Sequence, residues 1–144
     1  MFPHVRNVHL APGGTCRYHL YIQMKPRQPG EVKNVILAAF AAHYDIKHVI
    51  VVDEDVDIYN AEMVEWAVAT RFQADKDLVL ISGAQGSKLD PSTDEGFGAK
   101  LGFDATVPVD APPMKFKRIA VPGQAEIQLD AVLEDVTLSS WLAE

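Results

Sequence analysis

The chain has 144 residues, 48% of them hydrophobic, enough for about one domain with a real core and too apolar for a disordered segment. Its 13 Lys and Arg against 20 Asp and Glu leave a net charge of −7, so the cationic surplus that binds nucleic acid is missing. One cysteine excludes an internal disulfide and a Cys-based zinc site; with no apolar run near the ~20 residues of a membrane span and no signal-like N-terminus, a soluble, cytoplasmic protein is expected.

Val5 to Leu10 alternates as a strand, and Ala11-Pro12-Gly13-Gly14-Thr15 reads as a turn in which Gly-Gly supplies positive φ. Tyr18 to Met24 is a second strand, which makes residues 5–24 a hairpin. Pro26, Pro29 and Gly30 mark a loop. From Glu31, Val35, Ile36, Ala39, Phe40 and Ala42-His43 recur at helical spacing, and Tyr44-Asp45-Ile46 closes the helix. His48 to Val52 is a β-branched central strand. Asn60 is the expected N-cap of the next helix, with Glu62 in its positive first turn and Arg71 at its negative end. Asp77 to Ser82 follows as a strand, and the strand–helix–strand–helix–strand order predicts parallel neighbours joined by crossovers.

Gly83 to Gly98 is polar and glycine-punctuated, hence a long loop of the kind that is usually functional or mobile. Val107 to Pro113 is extended. Asp130 to Glu144 is the last helix, whose Leu133, Val136, Leu138, Trp141 and Leu142 offer an apolar face for self-association. The expected fold class is α/β over a single domain, residues 1–144: a mixed, mainly parallel sheet with helices packed on it, an N-terminal hairpin and a C-terminal helix.

The central strand ends in Asp53-Glu54-Asp55-Val56-Asp57. Ligands in α/β sheets gather at the carboxyl ends of strands, and hard carboxylate oxygens suit Mg²⁺ or Mn²⁺. In an extended chain Asp53, Asp55 and Asp57 share one face and Glu54 the other. The alternative is a structural one, in which these carboxylates cap the next helix and accept backbone N–H groups. His4, His9, His19, His43 and His48 have no metal-ligand spacing; His43 suits a helix C-terminus, and His9 and His19 could face each other across the hairpin. Cys16, near His19 and beside Arg17, is either a nucleophile in an electropositive pocket or a small apolar filler. Gly83-Ala84-Gln85-Gly86-Ser87-Lys88 lacks the Gly-Lys-Ser/Thr ending of a phosphate loop, and Gly96 to Gly102 is no more specific.

Several segments in order carry a resemblance that no single one does. They are Lys33-Asn34 to Leu37-Ala38-Ala39, Ala42-His43 to Lys47-His48-Val49-Ile50-Val51-Val52-Asp53-Glu54-Asp55-Val56-Asp57-Ile58, Trp66-Ala67-Val68-Ala69-Thr70-Arg71, and Lys100-Leu101-Gly102-Phe103-Asp104-Ala105-Thr106. Together they resemble the C-terminal domain of the UbiD family of (de)carboxylases, which use prenylated FMN on aromatic and α,β-unsaturated acids. The resemblance covers about residues 5–110. It implies that the prenylated flavin, its Mn²⁺ or Mg²⁺ and K⁺, and an Arg-Glu-Glu catalytic trio belong mainly to another, flavin-binding domain or large subunit. This chain would then be a small subunit or C-terminal half that dimerises and closes over the site, inactive alone.

By the same similarity, Leu89 packs over substrate and cofactor, with Ser87 in the same wall. Arg71 matches a position whose backbone carbonyl helps bind the monovalent cation. A lysine that some members bring to the flavin phosphate falls at Ala41 here. With nothing to close on, the Leu89 loop is expected to be mobile. Two other readings stay open: a non-catalytic assembly module, and a Mg²⁺-dependent enzyme built on Asp53, Asp55 and Asp57.

Overall fold

The computed structural model describes residues 2–117, 119 and 123. The chain divides into two compact units, Met1–Pro112 and Pro113–Glu144, and the fold below is that of the first. The helix expected over residues 130–144, and the self-association surface placed on it, lie outside the described residues.

Strands β1 (Val5–Leu10) and β2 (His19–Met24) form the expected antiparallel hairpin, then come α1 (Glu31–Ala42), β3 (His48–Asp53), α2 (Ala61–Arg71), β4 (Leu78–Gln85) and β5 (Phe97–Ala105). They build one five-stranded mixed sheet in the order β1-β2-β3-β5-β4. It is parallel at its centre, where β2 pairs with β3 and β3 with β5, and antiparallel at both edges. The α/β class therefore stands, with one correction to the connectivity. The strand after α2 is not a parallel neighbour of β3; β4 is the outer strand, antiparallel to β5, which takes the place beside β3. The loop read over residues 83–98 is correspondingly shorter, since β4 runs on to Gln85 through a bulge and β5 starts at Phe97.

Alternation explains the layers. Leu20, Ile22 and Met24 of β2 and Val49 and Val51 of β3 turn to α1, where they bury against Val32, Val35, Ile36 and Phe40. Val52 turns the other way, with Val56, Ile58 and Ala105, onto Val64 and Ala67 of α2. A helix on each face buries Val51 and Val52 in succession, so β3 reads as a continuous apolar run and not as an alternating one. Each such side chain taken fully from water contributes about 1.5–3 kcal/mol. Asn60 caps α2 as expected, its Oδ1 accepting the Glu62 and Met63 amides at 3.0 and 3.3 Å.

The hairpin turn differs from its sequence reading. Pro12–Gly14 forms a 3₁₀ turn, and the positive φ angles fall on Thr15 (58°) and Cys16 (54°), not on the glycines. Gly14 is required for space: a Cβ there would overlap the His19 side chain. His9 stands opposite Tyr21, whereas His19 pairs with His48 across the parallel ladder, their rings 4.8 Å apart. The two histidines expected to face each other therefore do not.

Candidate functional site

The candidate residues occupy two ends of the sheet. At the carboxyl end of β3, Asp53 and Asp55 converge on one guanidinium. Arg71, at the end of α2, is 4% exposed; its Nη1 donates to Asp53 Oδ2 at 2.6 Å and to Asp55 Oδ1 at 2.9 Å, and its Nη2 to Asp55 Oδ2 at 2.7 Å. The Val107 amide adds a 2.7 Å bond to Asp53 Oδ2. Burial pushes the Asp53 carboxyl up to about 6, against the pull of the Val107 amide and of Arg71. Burial works to lower the Arg71 guanidinium, but the hydrogen bonds and charge of Asp55, followed by those of Asp53, outweigh it and raise it. Asp57 turns elsewhere and accepts the Tyr59 amide at 2.9 Å.

The three aspartates thus do not converge on a common cation position. Asp53 and Asp55 share an arginine, Asp57 closes a turn, and among the described residues no group of three or more His, Cys, Asp or Glu could hold a metal ion. Arg71 itself combines a buried side chain with a carbonyl in the last turn of α2, where carbonyls have no partner further along the helix. Such oxygens at the negative end of a helix suit a monovalent cation.

At the amino end of the same strand lies the loop between β4 and β5. Ser87 is 5% exposed and Leu89 71% exposed. The Ser87 Oγ accepts the Leu89 amide at 3.3 Å, and the Ser87 carbonyl accepts the Asp90 amide at 3.1 Å. The loop is closed at its base by a 2.6 Å bond from the Gly86 amide to the Gly96 carbonyl. It is therefore internally bonded. Leu89 is exposed on it. The hydrogen bond from Lys47 holds the Asp90 carboxyl down at about 2.

The structure brings Ser87 and Leu89 together but not with Arg71. β3 separates the two ends by on the order of 20 Å, given about 3.3 Å of rise per residue. A single small substrate would not touch both within one copy of the chain.

Three other groups lie near the amino end. Lys100, 6% exposed in β5, donates to the Tyr44 and Ile46 carbonyls at 2.7 and 2.6 Å, and burial lowers its pKa. His19 and His48 are lowered by burial too. Asp45 and Ile46 border a cavity of about 540 Å³ on the hairpin side, with Leu10, Cys16, Arg17 and Leu20. Cys16 is exposed and so is no core filler, and Arg17 turns to Asp45 at 3.5 Å. Sequence reasoning did not single out Lys47, Asp90 or Lys100; the lysines were visible only as members of the family segments.

A family model described as the 3-octaprenyl-4-hydroxybenzoate carboxy-lyase C-terminal domain matches residues 1–105. An anhydromevalonate phosphate decarboxylase of Aeropyrum pernix is 52% identical over 121 residues, covering 84% of this chain and 28% of that protein. A gallate decarboxylase of Lactiplantibacillus plantarum is 38% identical over 119 residues, covering 74% and 24%. The solved UbiD-class enzyme HmfF from Pelotomaculum thermopropionicum, in complex with FMN, superposes with a TM-score of 0.85 at 48% identity, over 90% of this chain and 29% of that one. The chain thus spans less than a third of the length of these proteins. No helix among the described residues is long and apolar enough to cross a membrane.

Proposed function

The chain belongs to the UbiD C-terminal domain family, and from that membership we propose that it completes a decarboxylase by capping the site where a flavin-binding domain holds prenylated FMN. That domain is either joined to this one or a separate large subunit. The substrate is an aromatic or α,β-unsaturated carboxylic acid. The greater identity to the anhydromevalonate phosphate decarboxylase than to the gallate decarboxylase makes anhydromevalonate phosphate the first acid to test. Self-association of the assembled enzyme is part of the same reading.

The observation that carries the proposal is Leu89. A leucine 71% exposed on an internally bonded polar loop supports a role outside its own core. Laid over an acid, such a side chain excludes water and presses the substrate toward the cofactor. Buried Ser87, whose hydroxyl holds the Leu89 amide, lies in the same wall and fixes the loop's tip.

Prenylated FMN, when bound, serves as the electron sink for loss of the carboxylate. This chain's share in holding it is small. Position 41, on the exposed side of α1, is alanine and offers the flavin phosphate no cation. The Arg71 carbonyl, in the last turn of α2, is the group this chain offers to K⁺. Mn²⁺ or Mg²⁺ belongs with the flavin-binding domain, because Asp53 and Asp55 are engaged by Arg71.

Leu89→Ala in the complete enzyme tests the cap. Because the side chain is exposed here, the melting temperature of this chain should hardly move, while kcat/KM for the acid falls by about tenfold, the scale of a lost positioning contact. Unchanged turnover and acid preference would remove Leu89 from the substrate pocket.

A further inference from the structure

The loop that presents Leu89 is tied to the sheet through one residue of another element. Lys47 directly precedes β3. Its amide donates to the Tyr18 carbonyl at 3.0 Å and its carbonyl accepts the Leu101 amide at 2.9 Å, so its backbone is fixed on both sides, at the start of β2 and in β5. From that position the Lys47 Nζ reaches across to the loop, 2.6 Å from Asp90 Oδ2 and 2.5 Å from Ser92 Oγ. Asp90, the residue after Leu89, is 7% exposed, and its Oδ1 accepts from the Ser92 amide at 3.0 Å and the Ser92 hydroxyl at 2.8 Å. Thr93 Oγ1 donates to the Asp90 carbonyl at 2.9 Å and accepts the Gly96 amide at 3.1 Å, which carries the tie to the far side of the loop.

We propose that Lys47 is a positioning residue for the acid-binding site: anchored in the sheet, it holds the Gly86–Gly96 loop through Asp90 and Ser92 and so fixes where Leu89 meets the substrate. This rests on the reading of Leu89 as the cap. The physical reason is preorganisation. A loop that must be ordered each time an acid binds loses side-chain and backbone freedom at that step, whereas one already fixed does not. The tie suits the task because the Asp90 carboxylate, once buried, is strongly destabilised without its cation. The loop therefore has one favourable seat. The Asp90 carboxyl, held at about 2 by this contact, stays ionised throughout the physiological range.

Two variants and their combination test the inference. In the full chain, Lys47→Met should raise amide exchange at residues 89–93 by about tenfold or more while amides of β3 change by less than about twofold, local opening being independent of global unfolding. In the complete enzyme the same change should lower kcat/KM for the acid by about tenfold. On a Leu89→Ala background it should lower it no further, because both act through one side chain. Unchanged loop exchange in Lys47→Met would overturn the anchor. An equal loss of kcat/KM in both backgrounds would overturn its action through Leu89. Full activity of Leu89→Ala alone would instead remove the capping reading, and with it the catalytic consequence of Lys47, while the exchange measurement still reports the anchor separately.

Discussion

Gly102→Ala is expected to lower the melting temperature of this chain by about 10 °C, a loss of about 2–3 kcal/mol from overpacking. Gly102 lies in the interior of β5, against Ile36 of α1. A Cβ at this position would overlap Ile36 Cγ2 and come within 3.3 Å of Ile36 Cδ1 and Val79 Cβ. Ile36 is fully buried in one cluster with Val32, Val35, Val49 and Val51, and interiors of this kind are close-packed. Relief would require α1 to lift from the sheet, which would expose the larger of the two apolar clusters. Gly13→Ala is the control, because nothing lies within 4 Å of a Cβ built there. Calorimetry of the two variants checks the pair, and a Gly102→Ala chain as stable as the parent would show that α1 does not pack on β5 as described.

The second large effect concerns Arg71. Arg71→Met should cost about 3 kcal/mol, the usual loss when one partner of a buried ion pair is removed. The side chain is 2% exposed and serves Asp53, which is 18% exposed, together with the half-exposed Asp55. Asp55 can turn to water; Asp53 is the group left stranded. The cost should depend on pH in a definite direction. Burial already lifts the folded Asp53 carboxyl to about 6 from an ordinary value of 3.8. A carboxyl raised on folding binds more protons in the folded chain, so its contribution is most favourable below about pH 4 and is lost as the pH rises through about 6. Removing Arg71 raises that carboxyl further. The deficit of Arg71→Met relative to the parent should therefore be smaller at pH 4.5 than at pH 7.5. Denaturant titrations at the two pH values check the sign, and a deficit that grows toward acid would mean that Asp53 is not the group left uncompensated.

Much of the fold was legible because it is written in local pattern. The apolar periodicity of 31–42, the β-branched run of 48–52 and the Asn60 cap each predict their own element, and β2-α1-β3 follows from them as a parallel unit. β5 was not legible as a strand. Its sequence, Phe97-Gly98-Ala99-Lys100-Leu101-Gly102-Phe103-Asp104-Ala105, carries glycines where α1 and the loop press close and a lysine that caps the carbonyls of Tyr44 and Ile46. Those residues weaken β-propensity and are retained for tertiary reasons, so the signal of a central strand was lost.

The same limit applies to the two ends of the sheet. The acidic run after β3 suggested a metal because its partner is Arg71, brought beside it only by α2. Arg71 was noted for its carbonyl, while its side chain proved to pair with Asp53 and Asp55. The contact between Lys47 and Asp90 joins residues 43 apart in sequence, and neither neighbourhood hints at the other. Leu89 entered through the family resemblance, and the structure adds its exposure and the Ser87 hydroxyl that holds its amide. Ionic partners far apart in the chain are what a one-dimensional reading misses, because no periodicity connects them.

The central claim is that this chain completes a flavin-dependent decarboxylase without carrying the chemistry itself. The most direct measurement combines the purified chain with a flavin-binding UbiD-type domain loaded with prenylated FMN and follows CO₂ release from anhydromevalonate phosphate, then from gallate. The account predicts no flavin absorbance and no CO₂ from the chain alone, and turnover of at least one acid by the assembled pair that Leu89→Ala reduces. Stoichiometric flavin on the isolated chain, CO₂ release without the partner domain, or a flavin-binding domain as active without this chain as with it would contradict the account.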